Sequence, residues 1–223
     1  MLEVVSDVLR YVVQMVPMCL LALVVFLLVR PARLRRLNAR GLVSGALREI
    51  ALCLFLLFCA GLSALTLFPS NIWTYVISFG RAYPAEYTLF SFYPTWEQTM
   101  SGLDHLPNML TPFQEIRRAL GHMSYWLLFM LLGNIIMFMP IGFFPALLWR
   151  KWRWWRSLLT GFCASVSIEF IQFFIGRSTD IDDVILNTAG ALLGFWIFCL
   201  LRAIAPNFTE KFQCHPRGGY YHG

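Results

Sequence analysis

The stretch GRSTDIDDVILNTAGALLG, from Gly176 to Gly194, joins two runs of residues that are apolar enough to span a bilayer. It places three aspartates in one short connection, and Asn187 follows them into the second apolar run. Ionisable side chains at membrane depth cost free energy, so they are functional candidates by default. The stretch therefore predicts two membrane helices that meet beneath a polar rim.

The rest of the chain has the composition of a membrane protein. Its 223 residues are 58% hydrophobic and 13% charged, whereas soluble domains carry about 25% charged residues. The net charge of +6 does not indicate a nucleic-acid partner, because the arginines cluster beside the apolar runs. The six cysteines form no C-x-x-C pair, so we expect no metal site, no disulfide framework and no cofactor.

The length of the apolar runs predicts an all-α fold, a polytopic membrane helix bundle of about five transmembrane helices with an aromatic-rich external loop. A spanning helix needs about 20 mostly apolar residues. The third run contains Pro140 and Pro145, so we expect a kink or a break near Pro140. The five predicted spans are Tyr11–Val29, Ile50–Phe68, Met123–Trp149, Ser157–Ile175 and Val184–Leu201.

The distribution of arginines predicts the orientation of these spans. Basic residues concentrate in the first connection, 30–48, and in the connection 150–156, and such connections are retained in the cytoplasm. We therefore expect the N-terminus outside and the C-terminus in the cytoplasm. The predicted divisions are two N-terminal helices with a basic cytoplasmic connection (1–68), an external interfacial loop (69–122), a membrane core (123–201) and a cytoplasmic tail (202–223).

The external loop carries the sequence TPFQ, which is typical of a helix start. Thr111 is expected to cap, Pro112 to occupy the first turn and Gln114 to complete a capping box. Gly121 is expected to end this helix. The loop has two readings, as an amphipathic lid that anchors the fold or as a surface that helps to hold an amphiphile.

Polar side chains recur inside the last three spans. Glu169 and Gln172 are three residues apart, so they share a helix face that should point into the bundle or a wet cleft. In the fifth span, Asp183 is expected to cap the first turn, and Asn187 lies one turn later on the same face. Asn134 lies at a comparable depth in the third span.

A G-x-x-x-G stripe continues the face of Asp183 and Asn187. Gly190 and Gly194 form this stripe, which allows another helix to approach closely. We expect the stripe to pack against the Glu169 face of the fourth span. A purely structural alternative is that Asp183 caps its helix, that Arg177 pairs with Asp180 or Asp182, and that the remaining polar side chains only join helices. These side chains are Asn134, Glu169, Gln172 and Asn187.

Three segments resemble the VanZ-like family of bacterial membrane proteins. They are NIIMFMPIGFFPALL (Asn134–Leu148), SIEFIQFFIGRSTDIDDVILNTAGALLG (Ser167–Gly194) and NMLTPFQEI (Asn108–Ile116). The family is named for a protein associated with resistance to the glycopeptide antibiotic teicoplanin. The resemblance implies a multi-pass protein of the bacterial plasma membrane that is concerned with the cell envelope. It does not supply catalytic residues.

The leading functional hypothesis is an outward-facing polar cleft that binds an amphiphile with a polar or cationic head. A lipid-linked precursor, a phospholipid or a lipoglycopeptide would fit, so the expected partners are membrane lipids and an amphiphilic envelope ligand. The candidate ligand-binding residues are Asn134, Gln172, Arg177, Asp182 and Asn187.

Two alternatives stay open at this point. A membrane-embedded hydrolase or transferase acting on a lipid-linked phosphate would use Glu169, Asp180 and Asp183 as catalytic groups. In a structural scaffold, the same polar residues would serve assembly alone.

Overall fold

Five long helices carry the apolar runs of the sequence. The computed structural model describes residues 2–69, 72–81, 84, 86–105, 107, 111–121, 125–177 and 179–217. Within this part of the chain, five helices are long and apolar enough to cross a membrane, which confirms the prediction of an all-α membrane bundle. They are α1 (Leu2–Ala39), α2 (Ala46–Leu67), α6 (Tyr125–Leu148), α7 (Trp154–Phe174) and α8 (Ile181–Ile204). Met123, the predicted start of the third span, lies outside the described residues.

The first helix is much longer than its predicted span. We expected it to end at Val29, but α1 continues to Ala39 and carries several arginines on its last turns. Arginine is a good helix former, and Arg30 and Arg33 both pair with the Glu49 carboxylate at the start of α2. The first connection is therefore short and contains the strand β1 (Leu42–Ser44).

The sequence predicted a kink or a break near Pro140, and the break is wrong, because α6 runs as one helix through Pro140 and Pro145. The kink stays a prediction. Close backbone contacts hold the helix on both sides of Pro140: Gly194 of α8 lies against Met139, and Gly142 lies against Ala191. Membrane helices tolerate proline where neighbouring helices support the backbone in this way.

The glycine stripe of α8 packs against α6 and not, as predicted, against the Glu169 face of α7. Gly190 faces the backbone of Ile135, and Gly194 faces that of Met139. A side chain at either position would collide with a main-chain carbonyl, so glycine allows the two helices to approach closely. The Asn187 side chain instead reaches α7, where it donates to the Ser165 hydroxyl.

The C-terminal segment folds back on the first connection. After α8 come a short helix, α9 (Pro206–Glu210), and the strand β2 (Cys214–Pro216). β2 pairs antiparallel with β1 and places Val43 opposite His215. The first connection and the C-terminal tail, both predicted to be cytoplasmic, thus lie at one end of the bundle, which we call the sheet end. The division of the chain into four parts stays a prediction.

The opposite end, which we call the loop end, is covered by short helices of the aromatic-rich connection. These are α3 (Ile72–Ile77), a 3-10 turn at Leu89–Phe92, α4 (Trp96–Ser101), a 3-10 turn at Gly102–His105 and α5 (Gln114–Gly121). The Phe92 ring packs at 5.5 Å from Tyr75 and 6.2 Å from Tyr87. The aromatic residues therefore pack on one another as well as facing outward.

The start of α5 differs from the prediction. The Thr111 hydroxyl donates to the Pro107 carbonyl at 2.9 Å and does not cap the helix. Phe113 adopts a φ of 63°, so the chain turns sharply there and the helix begins only at Gln114. The described part of the helix extends to Gly121, and the predicted end at Gly121 stays a prediction because residues 122–124 lie outside the described residues.

Candidate functional site

The acidic connection between α7 and α8 begins with a glycine that ends α7. Gly176 has a φ of +72°, and a side chain there would meet the Pro94 ring at 3.0 Å. The amide of Arg177 donates to the Gln172 carbonyl at 2.9 Å, and that of Gly176 to Phe173 at 3.4 Å. These two bonds form a Schellman motif, which turns the chain sharply at the loop end.

Asp180 caps α8, and this corrects the assignment of the cap to Asp183. Its backbone is extended, and its carboxylate accepts the amide of Asp182 at 2.9 Å. The helix therefore starts at Ile181, three residues before the predicted Val184. Glu169, which is 6% exposed, accepts the Asp180 amide at 3.0 Å. The intramembrane carboxylate thus fixes the turn that positions the cap.

Asp182 has a partner that the sequence did not reveal. Its side chain is 0% exposed, and its carboxylate accepts the amides of Phe113 and Ile116, the latter at 3.3 Å. These amides belong to the start of α5, where the first N–H groups of a helix lack partners within the helix. Asp182 therefore holds the amphipathic helix of the loop onto the membrane core.

The two predicted asparagines join neighbouring helices. Asn134 of α6 donates to the Asp183 carboxylate at 2.5 Å. Asn187 of α8 donates to the Ser165 hydroxyl of α7 at 2.9 Å. The Asn187 carbonyl oxygen is buried and has no hydrogen-bond partner among the described residues.

Arg177 and Gln172 bond the end of α2, and among the described residues Arg177 forms no ion pair with an aspartate. The Arg177 guanidinium donates to the Leu65 carbonyl at 2.7 Å and to that of Thr66 at 3.4 Å. Gln172 donates to Thr66 at 3.1 Å. Gln14 of α1 completes the set with bonds to Ala64 and Phe68, at 3.0 and 3.2 Å. Three side chains thus bond carbonyls in and just after the last turn of α2, where carbonyls have no partners within the helix.

A pocket of about 380 Å³ opens beside this helix end. It combines the guanidinium and the Gln14 side chain with aromatic and aliphatic groups, and Arg177 is the predicted site residue that lines it. The lining residues are Tyr11, Gln14, Leu65, Pro69, Phe92, Ile175, Gly176 and Arg177. Tyr11, Gln14 and Phe92 were not predicted from the sequence as site residues. Gln14 could have been selected from the sequence because its amide lies within an apolar span. Polar groups at membrane depth mark functional or packing surfaces.

The predicted site residues are close in the fold, but their hydrogen bonds lead to different partners. Glu169 and Asp180 meet, as do Asp183 and Asn134, while Asp182 and Asn187 bond elsewhere. Over the described residues, no three His, Cys, Asp or Glu side chains form a group that could hold a metal ion. The roles of these residues as ligand-binding or catalytic groups stay predictions.

The sequence matches the family described as VanZ/LLP1 over residues 55–202, which is more than half of the chain. This chain belongs to the VanZ/LLP1 family. The matched region runs from the middle of α2 to the end of α8, so it includes the acidic connection and the pocket-lining Arg177. No curated protein and no solved structure matches the chain. Family and fold together make this VanZ/LLP1 protein a multi-pass membrane protein.

Proposed function

We propose that this VanZ/LLP1 protein binds an amphiphile of the bacterial cell envelope in the pocket beside Arg177. A lipid-linked precursor, a phospholipid or a lipoglycopeptide has the required combination of a polar head and an apolar chain. Such binding would underlie any contribution of the protein to glycopeptide resistance of the teicoplanin type. The observation that carries the proposal is the exposed guanidinium of Arg177 in a pocket of 380 Å³ lined by aromatic and aliphatic side chains.

Charge asymmetry supports an outward-facing pocket in the plasma membrane. Thirteen of the eighteen Lys and Arg residues lie toward the sheet end, and ten of the twelve Asp and Glu residues lie toward the loop end. Positive connections stay in the cytoplasm. This arrangement supports an N-terminus and a pocket outside the cell and a C-terminus in the cytoplasm.

The groups that line the pocket favour an anionic headgroup over the cationic one considered from the sequence. Asp182 is buried against α5, and Asp183 accepts from Asn134. Arg177, in contrast, uses Nη1 for the carbonyls of α2 and lines the pocket. A guanidinium binds phosphate or carboxylate groups through parallel N–H donors.

The decisive experiment measures ligand binding to the purified protein in nanodiscs. A labelled lipid-linked pyrophosphate precursor, a labelled phosphatidylglycerol and a labelled lipoglycopeptide are titrated in separate arms against wild type and Arg177→Lys. A lysine keeps the charge but loses the planar fork. We expect the affinity of Arg177→Lys for at least one of the three probes to fall by about tenfold to a hundredfold. This loss corresponds to one charge-assisted hydrogen bond.

Arg117→Lys is the matched control, because Arg117 is an exposed arginine on α5 at the same end of the bundle. It should bind each probe as wild type does. Thermal melting of both variants separates loss of binding from loss of the bonds to Leu65 and Thr66. Equal binding by wild type and Arg177→Lys in all three arms would contradict the proposal.

A structural scaffold is the second candidate, and the bonding of the carboxylates favours it. Glu169 holds a backbone amide within the protein, and so does Asp182. Glu169→Gln separates the two functions, because glutamine can still accept the Asp180 amide. A scaffold predicts unchanged melting and an unchanged envelope phenotype for this variant. Unchanged melting with a lost phenotype would favour a role for the charge itself.

A further inference from the structure

We propose that the connection between α6 and α7 forms a headgroup site for an anionic phospholipid at the sheet end, opposite the Arg177 pocket. We call this connection, residues 149–156, the basic turn. The site is independent of the proposed function, since it shares no residue with the pocket at the loop end. It rests on a second cavity, on its charge, and on the contacts that fix its shape.

The cavity measures about 580 Å³ and is lined by four cationic and two indole side chains. None of the four cations pairs with a carboxylate among the residues that the structure describes. Three other cations of the sheet end are engaged within the protein: Arg30 and Arg33 pair with Glu49, and Arg48 donates to the Leu148 carbonyl at 3.1 Å. The lining residues are Arg150, Lys151, Trp152, Arg153, Trp155 and Arg156.

Internal contacts hold the basic turn in one shape. The Trp152 indole folds back into the bundle and donates to the Ser157 hydroxyl at 2.8 Å, and Ser157 is 0% exposed. Arg156 donates to the Lys151 carbonyl at 3.3 Å and lies over the Trp155 ring at 5.2 Å. The cationic groups are therefore presented by a fixed loop, which reduces the entropy lost on binding.

The start of α7 adds to the positive potential of the cavity. Arg153 precedes the helix in an extended conformation, and no side chain caps the helix there. The first N–H groups of a helix attract anions, and the helix dipole acts in the same direction. An anion beside the four cations would thus also meet the positive end of a 21-residue helix.

The surroundings of the cavity favour an anion carried by a lipid. Trp149, Trp154 and Trp155 are 43%, 56% and 41% exposed around the basic turn. Exposed tryptophans beside membrane spans lie at the depth of the headgroups. Basic residues at that depth attract anionic phospholipids.

Native mass spectrometry of the full-length protein tests the proposal by counting retained lipids. The protein is titrated with phosphatidylglycerol or phosphatidylcholine, as wild type and as Arg150→Gln/Lys151→Gln/Arg153→Gln. Arg156 is left in place because it holds the turn. We expect wild type to prefer phosphatidylglycerol and the triple variant to lose about a hundredfold in affinity for it, given the usual contribution of each basic residue near an anionic surface.

The matched control removes the same charge from the same end, as Arg35→Gln/Arg36→Gln/Arg40→Gln, where all three side chains are exposed. It should keep the preference for phosphatidylglycerol, and both variants should melt as wild type does. An equal loss in both triple variants, or a loss in neither, would overturn the site. Displacement of the lipid by millimolar inorganic phosphate would also overturn it, in favour of a site for a free anion.

Discussion

At the scale of single residues, the carboxylates of the acidic connection each bond a different part of the bundle. Asp180 caps α8, and Glu169 holds the Asp180 amide from α7. Asp182 bonds the start of α5, while Asp183 bonds α6 through Asn134. Buried charges are tolerated when they are hydrogen-bonded. The three aspartates therefore join the loop to α6, α7 and α8 at the loop end of the bundle.

Replacement of Asp182 should release α5 from the core. In Asp182→Ala, the amides of Phe113 and Ile116 lose their acceptor, and one buried unsatisfied donor costs about 1–3 kcal/mol. We expect faster hydrogen exchange across residues 113–121, measured by mass spectrometry on the purified protein. Thr111→Ala is the control and should leave this exchange unchanged, because the Thr111 hydroxyl bonds Pro107. Faster exchange in the Thr111 variant alone would restore the capping box predicted from the sequence.

The two aspartates at the start of α8 should respond differently to substitution. Asp180→Ala removes the cap, which costs about 0.5–2 kcal/mol, whereas Asp180→Asn keeps an acceptor and should cost little. Asp183→Ala leaves the cap intact and deprives Asn134 of its acceptor. Combining it with Asn134→Ala should therefore cost less than the sum of the two single changes. Denaturation of the four variants and of the double variant measures the change in the free energy of unfolding. Unchanged stability in Asp180→Ala would contradict the assignment of the cap to Asp180.

The residue types of the site could be predicted from the sequence, but most of their partners could not. Asp180, Asp182 and Asp183 all stand where a cap could form, and the choice depends on the turn fixed by Gly176. Asp182 bonds a helix far away along the chain, and no local pattern reveals such a contact. Arg177 was expected to pair with an aspartate, yet the open end of α2 lies within its reach.

At the scale of helices, close backbone contact between α6 and α8 organises the core. Gly142 on α6 and Gly190 and Gly194 on α8 all lie against main-chain carbonyls of the facing helix. Helix association in a membrane depends on such packing because lipid tails are as apolar as the side chains. Hydropathy could predict the five spans, but it carries no information on which helix faces the glycines.

Alanine substitution should separate packed from unpacked glycines on one helix. In Gly142→Ala, the new methyl group would overlap the Ala191 carbonyl, and overpacking typically costs about 1–3 kcal/mol. At Gly133, also on α6, a methyl group would meet nothing within 4 Å. Gly133→Ala should therefore leave stability unchanged or raise it by up to about 1 kcal/mol. Thermal melting in detergent checks both, and equal melting temperatures would contradict the observed contact.

The length of α1 and the continuity of α6 could not be predicted from composition. The apolar run of the sequence ends at Val29, but the helix continues because Arg30 and Arg33 form ion pairs with Glu49 on the next helix. Proline predicts a break only when nothing supports the chain around it, and α8 supplies that support at Met139 and Gly142. Both differences come from contacts between helices.

At the scale of the whole molecule, the separation of charge between the two ends predicts the orientation in the membrane. A membrane-impermeant maleimide should label Glu97→Cys on α4 in intact cells, in a background in which the six native cysteines are replaced. Arg40→Cys and Lys151→Cys at the sheet end should react only after permeabilisation, and all three positions are exposed. The opposite pattern would place the Arg177 pocket in the cytoplasm and contradict an outward-facing ligand site.

The pairing of β1 with β2 has a consequence for how the chain is assembled during synthesis. β1 emerges before the second span and β2 after the fifth, so β1 stays an unpaired edge while four further spans are inserted. Each span moves the chain to the other side of the bilayer. β2 therefore returns to the side of β1 only when an even number of spans separates the two strands. The sheet therefore cannot form in a chain that has skipped one of the four spans between the strands. Such a chain would place β2 on the other side of the bilayer and leave the β1 edge open to other contacts.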